Sequence, residues 1–292
     1  MRNTSILILL FINTFLLSCQ NRETIVDKEK LLGFDVRLYQ NTPSWELAKA
    51  VDDENIEKIR EEVVANKVDI NYKEVNFGET LLQIAVWKSK YKSAKVLLEL
   101  GADPNLGDSY TGTTPMIEAA KNKDPMFLKL LLENKGNPNS AEDAPPRKGN
   151  IPRHTALVSA IGWNDDYSLE KVKMLIDAGA DVNFDNKRRI EKPLNAAITF
   201  DKFDVALYLM QHGADYKNYK YTTIDGEEVY ILKALRRSIV DMDSKEHKDK
   251  LKVIAFLKEN GLDYKTEPID QWALEDIKRQ YPNSWKAYID KY

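Results

Sequence analysis

The sequence predicts an all-α solenoid, a stack of about six helix pairs with a C-terminal helical extension. Three observations predict it. A short phrase, LELGADPN at residues 98–105, returns as LENKGNPN, IDAGADVN and MQHGADYK. Its last position recurs at Asn71, Asn105, Asn139, Asn183 and Lys217, at spacings of 34, 34, 44 and 34 residues, and such a period marks a repeat architecture. A second shared segment precedes each phrase: TLLQIAV from Thr80, TPMIEAA from Thr114, TALVSAI from Thr155 and KPLNAAI from Lys192. Between these landmarks apolar residues fall at helical spacing, as with Leu82, Ala85 and Val86, then Ala94, Leu97 and Leu98.

The elements follow in order. The segment opening on Thr80, Thr114, Thr155 or Lys192 starts a first helix. Its small residues Ala85, Ala119, Ala160 and Ala197 let the paired helices approach closely. The second helix stops at Gly101, Gly179 or Gly213, where a left-handed residue is favoured and glycine carries no Cβ penalty. Asp103, Asp181 and Asp215 then bond local backbone in the turn. These phrases resemble the ankyrin repeat, whose family pattern is a T-P-L-H-x-A helix start and a G-A-D-x-N turn. Four stretches match clearly, at 75–107, 109–141, 150–185 and 187–219, and degenerate copies flank them at 43–73 and 224–265. The resemblance implies an ankyrin-repeat solenoid over 43–265. The family's histidine is replaced by Gln83, Ile117, Val158, Asn195 and Leu232, so stability should rest more on apolar packing. Insertions at 140–153, 162–168 and 241–250 lengthen the third and last copies. Residues 266–292 carry two helical patterns either side of Pro282 and are expected to cap the open end of the stack.

Residues 1–19 read MRNTSILILLFINTFLLSC. Arg2 precedes an apolar stretch at 6–17, too short to span a bilayer but right for a signal peptide. LLSC, at 16–19, resembles a bacterial lipobox. That resemblance implies a signal peptide at 1–18, cleavage after Ser18 and a diacylglycerol on Cys19, which is the chain's single cysteine. The expectation is therefore a lipid-anchored protein of a bacterial cell envelope, facing the periplasm or at the cell surface. Gln20 is not the aspartate that retains lipoproteins in the inner membrane of enteric bacteria, which favours the outer membrane. Residues 19–42 read as a tether, in which KLLGFDVRLY is a segment able to pack on the first repeat.

A net charge of −3 gives no support for nucleic-acid binding. Phosphate loops, HExxH, GxSxG and EF-hand patterns are absent from the sequence. His154, His212 and His247 sit in separate settings, and the acidic residues of WNDDY (163–167) and DMD (241–243) read as solvated loop charges. We therefore expect no catalysis, no cofactor and no metal, and a monomer that binds a protein.

In ankyrin-like stacks partners sit on the face made by the fingers and the inner helices. Repeat register places Trp87, Lys88, Lys121, Trp163, Phe200, Arg236 and Arg237 near inner-helix ends, and Tyr110, Arg188 and Arg189 at fingertips. Asp52 and Asp53 hold the equivalent places in the first copy. The aromatics either line a binding groove or fold back into the stack. The cations either form a basic groove for an acidic partner or serve solubility. A protein-binding module is the primary reading. An immunity or inhibitor protein that neutralises a toxin or enzyme in the periplasm is the alternative.

Overall fold

The computed structural model describes residues 22–145, 153–162, 165–184, 191–223 and 225–291. Two compact units divide it, Met1–Ala102 and Asp103–Tyr292. In each, helix pairs stack as the repeat period predicts, in the all-α fold class of an ankyrin-type solenoid.

The first unit opens with two 3-10 turns, Lys28–Lys30 and Val36–Tyr39. One helix pair follows, α1 (Trp45–Asp52) and α2 (Ile56–Arg60), the latter continuing as a π-type turn over Glu61–Ala65. A second pair is α3 (Leu81–Trp87) and α4 (Tyr91–Glu99). Their facing stripes form the core: Leu47, Val51, Ile59, Leu82, Ile84, Ala85, Val86 and Leu97 are all buried. The pairs are also stitched by a hydrogen bond, in which Ser93 Oγ donates to the Val51 carbonyl at 2.7 Å. That carbonyl lies in the last turn of α1, where helix carbonyls need partners from outside. Val36, Leu38 and Tyr39 join this core, and the Tyr39 hydroxyl donates to the Glu79 carbonyl at 2.7 Å. The part of the expected tether from residue 36 on is thus packed structure.

The second unit contains α5 (Pro115–Lys121), α6 (Pro125–Glu133), α7 (Ala156–Ser159), α8 (Ser168–Asp177), α9 (Pro193–Thr199) and α10 (Phe203–Gln211). A two-stranded finger follows, β1 (Lys220–Thr222) antiparallel to β2 (Glu228–Tyr230), with Tyr221 opposite Val229. Then come α11 (Ile231–Arg237), α12 (Lys245–Glu259), α13 (Gln271–Gln280) and α14 (Trp285–Lys291). Ile277 and Tyr288 of the last two helices pack with Ile239, Met242 and Ile269, and the Tyr288 hydroxyl donates to the Val240 carbonyl at 2.7 Å.

Local chemistry starts and stops these helices. Thr80, Thr114 and Thr155 each accept a hydrogen bond from the backbone N–H three residues on, at Gln83, Ile117 and Val158. Lys192 stands at the same place before α9 and makes no such side-chain cap, so Pro193 at the first helical position is left to set the start. Ala85, Ala119, Ala160 and Ala197 are wholly buried, consistent with close helix approach. Past the second helix, Gly101, Gly179 and Gly213 adopt φ of 97°, 95° and 92°. Lys135 fills this left-handed place in the second copy, at φ 67°. Gly136 beside it lies so close to Met116 Sδ that a Cβ would be 2.2 Å away, so the two positions have opposite demands. Lys135→Gly should therefore stabilise the fold by about 0.5–1 kcal/mol. A urea midpoint that falls would contradict this.

The repeated phrase does more than end a helix. Asp103 and Asp181 each accept the backbone N–H two residues on, from Asn105 and Asn183, and Asn137 does the same for Asn139. The asparagines then reach forward to the next copy. Asn105 Nδ2 donates to the Lys135 carbonyl and its Oδ1 accepts from Asn137 N–H. Asn139 bridges likewise to Gly179 and Asp181, and Asn183 to Gly213 and Asp215. The side-chain amide, with one donor and one acceptor in use, fits a site offering one carbonyl and one N–H. Lys217, which cannot accept, stands where the series ends.

The insertion in the third copy is built on a buried charge pair. Lys171 on α8 is fully buried, and its ammonium donates to Asp165 Oδ2 at 2.6 Å, to the Ala120 carbonyl at 2.5 Å and to the Asn122 carbonyl at 3.0 Å. All three donors are used, and two end the inner helix α5 of the preceding copy, where a cation is favoured by the helix dipole. Asp165 also accepts Tyr167 N–H at 2.9 Å. Asp165 is 6% exposed, which corrects the expectation that the acidic residues of this loop are simply solvated. Burial lowers the Lys171 pKa from its usual value, and Asp165 opposes that shift.

Candidate functional site

In the first unit the inner-helix ends carry Asp52, Asp53, Trp87 and Lys88. Trp87 is 52% exposed, and one face of its ring stacks on Phe34 with centroids 4.6 Å apart and planes 4° from parallel. It thus neither stands free nor folds into the stack. Lys88 Nζ binds Asp52 Oδ1 at 2.5 Å. Arg22 adds a fork, one nitrogen 3.3 Å from Asp52 and another 2.8 Å from Asp53. Asp52, Asp53 and Trp87 of this face are therefore already engaged by the chain's own residues 22–35.

In the second unit Tyr110 lies at a fingertip, 53% exposed, where Asp108 accepts its backbone N–H at 2.7 Å. Lys121, at the end of α5, sits 3.2 Å from Glu118 and 4.0 Å from Glu142. Burial raises the Glu118 pKa, and Lys121 opposes the rise. Phe200, which closes α9, is half-buried. Trp163, Arg188, Arg189 and Cys19 lie outside the described residues.

Two expected contact residues need correction. Arg236 is 6% exposed: its guanidinium lies 3.9 Å from the Tyr264 ring centroid and donates to the carbonyls of Tyr264 and Glu267. Arg237 is clamped between Glu227 at 2.5 Å and Asp270 at 2.6 Å. Register equates these positions with exposed ones in earlier copies, but residues 264–270 are not a regular repeat and lie across the end of α11. The described members of the expected basic groove are therefore paired with carboxylates or, for Arg236, bonded to carbonyls. Lys88, Lys121 and Arg237 are thus balanced by carboxylates, while Arg188 and Arg189 lie outside the described residues.

The histidines hold structural places. His212 closes α10, with Nδ1 2.8 Å from the Tyr208 carbonyl and its ring against that of Tyr208. His154 Nε2 lies 3.7 Å from Glu191, and His247 is buried in the first turn of α12. Among the described residues no three His, Cys, Asp or Glu side chains are grouped to hold a metal ion. Among them too, no helix is long and apolar enough to cross a membrane.

Comparison with known families agrees with this architecture. The family described as ankyrin repeats (3 copies) matches residues 47–143 and 116–220, more than half of the chain. The chain belongs to the ankyrin repeat family. An ankyrin repeat protein of Acanthamoeba polyphaga mimivirus is 33% identical over 105 residues, covering 34% of this chain and 64% of its own length. One from Fowlpox virus (strain NVSL) is 27% identical over 132 residues, 45% of this chain and 16% of that protein. The ankyrin repeat and KH domain-containing protein mask-1 of Caenorhabditis elegans is 29% identical over 137 residues, 41% of this chain and 5% of that protein. The chain thus spans less than two thirds of the length of each of these relatives, and the likeness lies in the repeats. Membership indicates a protein-binding module.

Two features escaped the sequence reading. The forward reach of Asn105, Asn139 and Asn183 was signalled by their period, but a period does not say which copy a side chain serves. The second is Arg22, one charge in the tether ahead of KLLGFDVRLY; that segment, which includes Phe34, reads from the sequence as able to pack on the first repeat.

Proposed function

We propose that this ankyrin repeat protein is a non-catalytic binding module held at a bacterial cell envelope by lipid on Cys19, and that its partner is another protein. The carrying observation is the ordered stack of helix pairs with half-exposed aromatic side chains on the finger and inner-helix face. Aromatic side chains are over-represented among residues that dominate binding energy. In the second unit Tyr110 and Phe200 are the described aromatics at expected contact positions, with Lys121 beside the carboxylates of Glu118 and Glu142. That mixture suits a partner surface of apolar and mixed-charge character. The lipid reading rests on the LLSC sequence, whose last residue is the chain's sole cysteine.

Metabolic labelling with a fatty-acid analogue tests the anchor. Label should enter the wild-type chain and be lost on Cys19→Ser, with the protein released from the membrane fraction. Label retained by the variant would contradict the assignment of Cys19. Since one acyl chain gives only marginal attachment, stable retention requires the several chains of a lipoprotein.

A further inference from the structure

Residues 22–35 lie on the finger and inner-helix face of the first unit and hold it in four places. At one end the Arg22 guanidinium spans Asp52 and Asp53, the last residue of α1 and its C-cap, and Glu23 pairs with Lys49 of α1 at 2.8 Å. In the middle Asn76, on the finger before α3, donates to the Lys28 carbonyl at 3.0 Å. At the other end Phe34 stacks on Trp87, and its N–H donates to Glu79 Oε2 at 2.6 Å. The Gln40 side chain gathers the segment, donating to the carbonyls of Arg22 and Thr24 and accepting from Val26 N–H.

The character of these contacts changes sharply at residue 36. Val36, Leu38, Tyr39 and Gln40 are at most 5% exposed and belong to the core. None of residues 22–35 is fully buried: Ile25 and Leu32 are 80% and 83% exposed, while Val26, Leu31 and Phe34 are partly buried. The segment is held by ion pairs, single hydrogen bonds and one ring stack, with only partial apolar burial. Segments of that kind open at a small fraction of the global unfolding free energy. Phe34 also sits at φ 64°, a left-handed conformation that a Cβ-bearing residue leaves readily once its stack and hydrogen bond are lost. Residues 22–35 therefore dock as a peptide docks: through an arginine and an aromatic anchor, on a surface that has its own folded core.

We propose that this face of the first unit is a peptide-binding site occupied in cis by residues 22–35, and that its external ligand carries the same chemistry, an arginine and an aromatic side chain on one irregular segment. The external ligand rests on the protein-binding reading above; the occupancy in cis does not. The tethered segment has an effective concentration on the order of millimolar, so an outside ligand must exceed its intrinsic affinity or meet the chain with the segment withdrawn.

The test uses the full chain and a synthetic peptide of residues 22–35. A chain carrying Arg22→Glu and Phe34→Ala releases its own segment. It should bind the peptide saturably, with a shift of the Trp87 indole resonance, while the wild-type chain at the same concentration does not. A peptide with Arg22→Glu should bind the released chain about tenfold more weakly, as for loss of a forked charge pair. Adding Asp53→Arg to that chain should weaken the wild-type peptide, and an Arg22→Asp peptide should recover binding. No saturable binding, or binding indifferent to these charges, overturns the proposal. Global unfolding of the released chain also overturns it, because the segment would then be part of the fold. Hydrogen exchange on the unaltered chain is the second measurement. Amides of 22–35 should exchange through local opening well before those of 36–40 and α3, and equal protection overturns the proposal. Neither measurement involves an outside partner, so failure here leaves the binding role of the second unit standing, and the converse holds.

Discussion

Asp165→Ala should destabilise the protein by about 3–5 kcal/mol, measured as a shift of the urea unfolding transition, because it leaves a buried ammonium without its counter-charge. Lys171 would keep the carbonyls of Ala120 and Asn122 but lose the carboxylate 2.6 Å away. The double change Asp165→Ala with Lys171→Met removes both charges, and the methionine can fill the same space. It should be markedly milder than the single change, since the desolvation of the ammonium disappears with it. A double variant as damaged as the single one would mean that packing, not charge, dominates the site. Lys171 joins two copies of the repeat, so hydrogen exchange should rise first at α5 and α8.

The second large effect is a pH dependence centred on Lys250. This residue on α12 is 1% exposed and donates to the Ser238 carbonyl at 2.8 Å. Burial lowers its pKa to about 7, helped by the nearby Arg236 and opposed by Asp201. Asp201 is itself raised by burial, opposed by a hydrogen bond from Ser238 and by Lys250, while Glu246 raises it further. The Tyr264 ring centroid lies 5.6 Å from the Lys250 ammonium. Between the lowered folded value and the ordinary unfolded value, the unfolded chain binds a proton that the folded chain does not. Stability must then rise with pH across that window. From about pH 6.5 to about pH 9.5 the gain from this group is about 3 kcal/mol. Lys171, also lowered, acts in the same direction. The buried tyrosines Tyr219 and Tyr288, whose pKa values are raised, lose their contribution only at higher pH. Lys250→Met should therefore flatten the rise by about that amount relative to wild type. Parallel curves for the two proteins would show that Lys250 stays charged.

Much of the fold is legible in the sequence because its determinants are local. A threonine three residues from the N–H it caps, a glycine at a helix end and an apolar stripe are all read within one turn or two. The 34-residue period supplies the stacking. The candidate face is less legible because its chemistry is settled across copies. Lys88 meets Asp52 from 36 residues away, and Arg237 is clamped by carboxylates on either side of its helix, at Glu227 and Asp270. Register names equivalent backbone positions, and Trp87, Tyr110 and Lys121 do lie at least partly open. It cannot say what a neighbouring irregular segment lays over them, as residues 264–270 do to Arg236 and residues 22–35 do to Trp87. Asp165 is a related case: an acidic loop residue reads as solvated until the lysine six positions on is known to turn inward.

The same split explains why charge was the weakest guide. A surface lysine and a paired lysine have the same letter. Only the distance from Lys121 to Glu118, or from Lys88 to Asp52, separates a basic groove from a neutral one.

The most direct measurement of the protein-binding role is site-directed photo-crosslinking in intact cells. A photoreactive side chain is placed at Tyr110, on the finger face of the second unit, or at Lys129, whose side chain is 66% exposed on the outer helix α6. The binding face described above predicts a discrete crosslinked protein species from Tyr110 and none from Lys129. Crosslinks from Lys129 alone, or none from Tyr110 in a folded chain, would contradict it.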